Sequence, residues 1–187
     1  YFNADEKTVY KLADQTSYEM GTLAEPLAVA VHTVNHAETR TGGLVILGAG
    51  TIGQLILAGA RKRGYSPIIV TDTAAFNREF AVKHGADAAL DPVTENIPEK
   101  VKEMTGGRGA DLAIIAAGAD NILDQACECV HKCGEIGIVA MITNKIPFYC
   151  YSVVFSELKI YGAMCYESGD FAEAMEMINT DLDLTDY

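Results

Sequence analysis

The chain has 187 residues, 49% of them hydrophobic, and a formal net charge of −12. This length and composition suit one globular domain with a hydrophobic core. The negative charge argues against a nucleic-acid partner, because it would repel the phosphates. The chain has neither an apolar run of about 18 residues nor a signal-peptide pattern, so we expect no membrane partner and a cytoplasmic protein. Five cysteines in a chain of this size indicate reduced intracellular thiols.

Short apolar runs alternate with helical patterns from residue 44 onwards. The runs predict four strands and two weaker ones: Leu44–Leu47, Ser66–Thr71, Asp111–Ile115 and Ile136–Ile142, with Ala88–Leu90 and Leu158–Ala163. Apolar residues with helical spacing predict helices between them, and the third is lined by Ile122, Leu123, Ala126, Cys127 and Val130. Continuous apolar strands that alternate with helices predict a parallel sheet covered on both faces. The fold class is therefore a doubly wound α/β domain.

A glycine-rich loop follows the first predicted strand directly. Gly48, Gly50 and Gly53 form a G-x-G-x-x-G pattern that opens a helix, and Asp72 ends the second strand about 20 residues later. In such a loop the first glycine permits a tight turn, the second lets a pyrophosphate approach, and the third packs the helix on the strand. The helix N-terminus would hold the phosphates. A glycine turn with a solvated acid is the alternative.

Asp72 also indicates which dinucleotide would bind. Its carboxylate would accept hydrogen bonds from the ribose hydroxyls of adenosine and would repel a 2′-phosphate. No Lys or Arg directly follows it. The sequence therefore predicts NAD rather than NADP as the cofactor.

Seven segments, two of which contain the glycine loop and Asp72, together carry a resemblance to a family. They are EPLAVAVH at 25–32, VILGAGTIGQ at 45–54, TD at 71–72, HGADAALD at 84–91, GGRGADLAIIAAG at 106–118, GEIGIVAM at 134–141 and SELKIYGA at 156–163. With them the chain resembles the nucleotide-binding half of the medium-chain dehydrogenase/reductase family, in its branch of zinc-dependent alcohol, polyol and threonine dehydrogenases. The resemblance implies a Rossmann fold with six strands in the order 3-2-1-4-5-6. It also implies oxidation of a secondary alcohol or polyol by hydride transfer to nicotinamide.

The resemblance assigns cofactor contacts to residues that follow four of the strands. Pyrophosphate contacts fall to Thr51 and Ile52, and ribose contacts to Asp72 and Arg78. The segment 116–118 would line the adenosine side and 139–141 the nicotinamide end. The complete set is Gly48, Gly50, Thr51, Ile52, Gly53, Asp72, Thr73, Arg78, Ala116, Ala117, Gly118, Val139, Ala140 and Met141.

The resemblance also predicts how the chain is divided. Residues 1–20 resemble the tail of an N-terminal catalytic, GroES-like domain, 21–168 the NAD-binding domain, and 169–187 the start of a return to the catalytic domain. The chain starts at Tyr1 rather than Met, so we expect it to be a piece of a longer enzyme. It would bind NAD but catalyse no turnover alone. Zinc is expected in the intact enzyme and not in this fragment. In the family, the segment 145–149 would pair with its symmetry mate as an edge strand, which predicts a homodimer or homotetramer.

Glu25 stands at the front of an apolar run, before Pro26. Pro suits the first position of a helix, and an acid just before it is favoured by the free N–H groups and the helix dipole. In the family this acid binds the catalytic zinc or holds the water beside it, which makes Glu25 a zinc-site residue of the intact enzyme. Both roles stay open, and in this chain we expect Glu25 to be exposed and metal-free.

Other residues indicate less specific roles. Cys127, Cys129 and Cys133 surround His131, but only Cys127 would face the apolar side of the predicted helix, which favours packing over a metal site. Cys150 and Cys165 are expected in the core, and His32 in the core or an interface.

Two further functions stay open at this point: a free-standing, non-catalytic NAD-binding module, and an S-adenosylmethionine-dependent methyltransferase, which also has a glycine loop and a ribose-binding acid.

Overall fold

A parallel six-stranded sheet forms the centre of the computed structural model, which describes residues 3–180, 182 and 184–187. The strands are β1 (Gly42–Leu47), β2 (Tyr65–Thr71), β3 (Ala88–Leu90), β4 (Ala110–Ile115), β5 (Val130–Ile138) and β6 (Lys159–Gly162). Their order is β3-β2-β1-β4-β5-β6, and every neighbouring pair is parallel. The predicted fold class and strand order are confirmed.

Helices cover both faces of the sheet. They are α1 (Tyr18–Thr22), α2 (Ala24–Asn35), α3 (Thr51–Lys62), α4 (Ala75–Lys83), α5 (Ile97–Met104), α6 (Ile122–Cys129), α7 (Tyr151–Ser156) and α8 (Ser168–Thr180), preceded by a 3₁₀ turn at Glu6–Thr8. Alternate residues of β1 belong to two hydrophobic clusters, because successive side chains of a strand point to opposite faces. Leu44 and Ile46 pack with α2, α3 and α8, whereas Val45 and Leu47 pack with α5 and α6. No helix in the described part of the chain is long and apolar enough to cross a membrane.

The fifth strand differs most from its prediction. It begins at Val130 and ends at Ile138, whereas the prediction placed it at 136–142, and α6 leads into it without a loop. The strand starts early because Val130 pairs with Ala110, before an irregularity in the register. It ends early because the backbone N–H groups of Val139 and Ala140 both donate to the carbonyl of Ile115, which turns the chain out of the sheet.

The two ends of the described chain pack on the same face. The side chain of Asn179 in α8 accepts hydrogen bonds from the N–H of Ala13 and the hydroxyl of Thr16. His32 of α2 is buried, as expected, and its Nδ1 lies 2.7 Å from Oδ2 of Asp170 in α8. The contact between His32 and Asp170 holds α8 against α2, the helix whose first turn carries Glu25.

Candidate dinucleotide site

The predicted site residues follow the carboxyl ends of four adjacent strands. Gly48, Asp72, Ala116 and Val139 directly follow β1, β2, β4 and β5. The last residues of these strands are paired in register, so the four positions lie along one edge of the sheet. In open α/β sheets, ligands bind beyond this edge, where the strand order reverses. In the sheet, the strands lie in the order β3-β2-β1-β4, so the reversal falls between β1 and β4.

Each glycine of the loop meets a different spatial requirement. Gly48 has φ +110°, and a Cβ there would lie 2.5 Å from the Cβ of Ala117. A Cβ on Gly53 would lie 1.9 Å from the carbonyl oxygen of Gly48, so only glycine lets α3 pack this closely. A Cβ on Gly50 would meet no atom within 4 Å. Open space beside the backbone of Gly50 is the space that an approaching phosphate needs.

The N-terminus of α3 adds a binding surface for an anion. Its N-cap is Gly50, so no side chain caps the helix, and its first turn contains no acidic residue. The N–H groups of a first turn have no partner within the helix, and the helix dipole makes this end positive. A phosphate at Gly50 would therefore find donors and a favourable charge.

Asp72 is bonded to the glycine loop. Its Oδ2 accepts from the N–H of Ala49 at 2.9 Å, and its Oδ1 accepts from the N–H of Ala74 at 2.8 Å. The side chain remains partly exposed. Each carboxylate oxygen can accept a further hydrogen bond, so Asp72 can bind two ribose hydroxyls while it holds the loop.

Arg78 contacts Asp72 through the backbone. Its Nη1 donates to the carbonyl oxygens of Asp72 and Thr73, at 2.7 and 2.9 Å. Its Nη2 lies 3.2 Å from Oδ2 of Asp91, which directly follows β3. The guanidinium thus joins the ends of two strands, and the side chain of Thr73 is exposed beside it.

An apolar cavity of about 350 Å³ lies on the β4–β5 side of the edge. It brings together five of the predicted residues, namely Ile52, Ala116, Val139, Ala140 and Met141. Sequence reasoning missed four residues of its wall: Val29, Ala163, Met164 and Cys165. The last three follow β6, so the rule that ligands lie beyond strand ends could have found them. Val29 belongs to α2 and to the family segment 25–32, but the segment gave no reason to expect a cavity contact from it.

Gln54 was also missed. It is buried in α3, and its Nε2 donates to the carbonyl oxygens of Ala49 at 3.1 Å and Asn77 at 2.9 Å. It therefore joins the glycine loop to α4. A second cavity of about 370 Å³ opens beside it, between Gly50 and Phe76.

The start of α2 corrects one prediction. The helix begins at Ala24, so Pro26 is its third residue and not its first. Proline is tolerated there because the N–H groups of a first turn have no partner within the helix. Glu25 lies in this first turn and is exposed, as expected.

Cys127 is buried as predicted, but Cys129, Cys150 and Cys165 differ from their predictions. Cys129 is buried together with Cys127, because α6 ends there and its last residue turns into the core. Burial raises the pKa of Cys127 to about 11 and that of Cys129 to about 12, so both thiols are protonated at neutral pH. Cys150 and Cys165 are exposed, and their prediction as core residues is wrong. Across the described residues, no group of three or more His, Cys, Asp or Glu could hold a metal ion.

Comparisons with known proteins agree with this architecture. The structure is similar to that of 2R,3R-butanediol dehydrogenase from Bacillus subtilis, with a TM-score of 0.87 and 26% identity over 95% of this chain and 51% of that one. D-xylulose reductase A of Aspergillus oryzae is 33% identical over 183 residues, which are 95% of this chain and 51% of the reductase. L-threonine 3-dehydrogenase of Pyrococcus horikoshii is 32% identical over 157 residues, 83% of this chain and 45% of that enzyme.

The chain spans about half the length of these relatives. The sequence model of one family, described as zinc-binding dehydrogenase, matches residues 51–180. This match includes the glycine-loop helix, all strands from β2 to β6, and α8. The chain therefore belongs to the zinc-binding dehydrogenase family.

Proposed function

We propose that this chain is the cofactor-binding part of an NAD-dependent enzyme that oxidises a secondary alcohol or polyol. One observation carries the proposal: the open space at Gly50 adjoins the uncapped N-terminus of α3, and Asp72 is hydrogen-bonded to the same loop. Together they offer a phosphate site and a ribose site. The relatives named D-xylulose reductase and L-threonine 3-dehydrogenase support a hydroxyl-bearing substrate.

Each part of the strand-end edge receives a role in this proposal. The first turn of α3 binds the pyrophosphate, and Asp72 accepts the ribose hydroxyls. The segment 116–118 lines the adenosine side, with Ala116 at its border with the apolar cavity. The apolar cavity at 139–141 holds the nicotinamide end and excludes water from it. When bound, NAD supplies the ring carbon that accepts the hydride.

The described residues do not by themselves fit a zinc ion. Zinc sites in proteins use about four ligands, or three and a water. Glu25 is a single exposed carboxylate, and no group of three or more such ligands is present in the described part of the chain. We therefore assign no step of the reaction to a metal held by these residues. Glu25 is proposed as a zinc-site residue of the intact enzyme, with stabilisation of the start of α2 as the alternative.

Titration of the chain with NAD, NADP and S-adenosylmethionine by calorimetry tests the proposal. We expect NAD to bind more tightly than NADP, and S-adenosylmethionine not to bind. Asp72→Ala should weaken NAD binding by roughly 1–3 kcal/mol, because charge-assisted hydrogen bonds to the ribose are lost. Equal affinities for NAD and NADP in the unaltered chain would contradict the assigned role of Asp72.

A non-catalytic NAD-binding module is a second candidate, because the phosphate and ribose sites alone would bind NAD without catalysing a reaction. For the 187 residues alone we expect no NADH production from polyols, with or without added zinc. Turnover by a longer protein that contains this chain would favour the dehydrogenase, and its absence would favour the module.

The exposed free thiols of Cys133, Cys150 and Cys165 support a reducing, cytoplasmic location.

We propose a homodimer or homotetramer that forms through the segment 145–149. This segment is not hydrogen-bonded into the sheet, whose outer strand on that side is β6. It nevertheless alternates like an edge strand, since Ile146 and Phe148 pack on the core and the three residues between and beside them are exposed. Exposed apolar residues of the adjacent α7 enlarge this surface, and among them Val154 is 74% exposed.

Sedimentation of two matched variants tests the assembly. Val154→Asp should shift the chain toward monomer, because it places a charge in a buried apolar interface. Val93→Asp is the control, since Val93 is similarly exposed, at 77%. It lies in the turn after β3, the outer strand at the opposite edge of the sheet from β6. Only monomer in the unaltered chain, at roughly tens of micromolar, would contradict the proposal.

A further inference from the structure

Arg78 donates to two backbone carbonyl groups beside the proposed ribose site, and the Asp72 carboxylate is not among its described partners. Two of its bonds go to the carbonyl oxygens of Asp72 and Thr73, and the third goes to Asp91. Both side chains of the ion pair are largely buried, with exposures of 20% for Arg78 and 21% for Asp91. Three acceptors therefore hold the guanidinium in one position.

Asp91 is itself held in place by the turn after β3. Its Oδ1 accepts from the N–H of Val93 at 2.9 Å, and its own N–H donates to Oε1 of Glu95 at 2.8 Å. Its carbonyl accepts from the N–H groups of Thr94 and Glu95. Movement of the carboxylate would break its hydrogen bond to Val93, so the turn holds the carboxylate beside Arg78.

Binding of the 2′-phosphate of NADP requires a cation, and in this arrangement the guanidinium of Arg78 is already bound to other acceptors. A phosphate monoester carries about −1.5 to −2 charges at neutral pH and is best bound by a guanidinium that can offer two parallel N–H groups. To reach a phosphate beside Asp72, Arg78 would have to leave Asp91 and expose two carbonyl oxygens at the end of β2. Burial makes both losses costly.

We propose that Asp91 is a cofactor-specificity residue that favours NAD over NADP by holding Arg78 on the backbone carbonyl groups of Asp72 and Thr73. The Asp72 carboxylate repels the 2′-phosphate directly, and Asp91 prevents Arg78 from binding that phosphate. The inference rests on the proposed function, because it assumes that the ribose binds at Asp72. Arg78 is thereby a positioning residue for β2, and Asp91 acts through it.

The experiment compares dissociation constants of NAD and NADP for the unaltered chain and for Asp91→Asn. The asparagine keeps an oxygen for the N–H of Val93 but removes the charge that holds Arg78. We expect the ratio of the NADP constant to the NAD constant to fall by at least about threefold, the scale of one partly buried ion pair. Adding Arg78→Met to Asp91→Asn should remove this change.

Asp87→Asn is the matched control. Asp87 precedes β3 at the opposite end of the strand and pairs with Arg61 at 2.8 Å, so its substitution removes the same charge and a similar ion pair. The ratio should stay as in the unaltered chain. An equal ratio in Asp91→Asn and Asp87→Asn, with NAD still bound, would overturn the inference and leave the proposed function standing.

Arg78→Met alone gives an independent test if Asp91→Asn folds poorly. Its ratio should not rise, because the guanidinium does not contact the phosphate when Asp91 holds it. A rise of more than about threefold would show that Arg78 already reaches the 2′-phosphate, and would overturn the inference. If the unaltered chain binds neither dinucleotide, the proposed function fails and the inference falls with it.

Discussion

Gly50→Ala separates cofactor binding from folding. The alanine Cβ would meet no atom within 4 Å, and Gly50 has φ −69°, which an alanine adopts without strain. Alanine is a poorer N-cap than glycine, but it also reduces the entropy of the unfolded chain, and the two effects are of similar size. We therefore expect the free energy of unfolding to change by less than about 0.5 kcal/mol.

The same methyl group should prevent phosphate binding. It occupies the open space beside the first turn of α3, so a phosphate oxygen could no longer approach those N–H groups at hydrogen-bonding distance. Loss of one charge-assisted hydrogen bond, at about 2 kcal/mol, corresponds to a roughly thirtyfold weaker NAD affinity.

Calorimetric titration with NAD and urea unfolding measure the two effects on one protein. Gly169→Ala is the control, since Gly169 also has open space around it but lies in α8, away from the glycine loop. It should leave the NAD affinity unchanged. If Gly50→Ala binds NAD as tightly as the unaltered chain, the pyrophosphate does not lie at Gly50 and the reasoning is refuted.

Three further substitutions test other parts of the structure. Gly53→Ala should cost about 1–3 kcal/mol and lower Tm by several degrees in a thermal melt, because its Cβ would lie 1.9 Å from a carbonyl oxygen; an unchanged Tm would contradict the close packing of α3. Burial opposes ionisation of Asp170, but hydrogen bonds that include those from Asn35 and His32 hold its pKa below 3.8. The ionised carboxylate therefore stabilises the fold above about pH 4, and this contribution is lost as pH falls through the lower folded pKa. Urea unfolding should show Asp170→Asn less stable than the unaltered chain at pH 6, with a smaller difference below pH 4, whereas a constant difference would contradict this. Glu25→Ala should cost at most about 1 kcal/mol in this chain, since Glu25 is exposed, and a larger loss in urea unfolding would indicate an unrecognised contact.

The sequence by itself determined the fold class and the place of the glycine loop. Both depend on local patterns: apolar runs of strand length, helical spacing between them, and glycines at positions where a side chain cannot fit. The positive φ of Gly48 and the close approach of Gly53 to the carbonyl of Gly48 arise within a few residues, so the pattern alone predicted them. The contact between Gly48 and Ala117 joins two strand ends, and only the sheet creates it. The same holds for the position of Asp72, because a residue that ends a parallel strand must lie at the carboxyl edge of the sheet.

Only the tertiary structure decided which side chains meet across that edge. The acid that pairs with Arg78 is Asp91, which directly follows β3, and no local pattern distinguishes it from the neighbouring acids. The end of β5 depends on a carbonyl of β4, and the burial of Cys129 depends on the absence of a loop after α6. Such contacts join residues far apart in the chain, and packing of the whole sheet selects them, because each must satisfy a buried polar group or fill space left by another element.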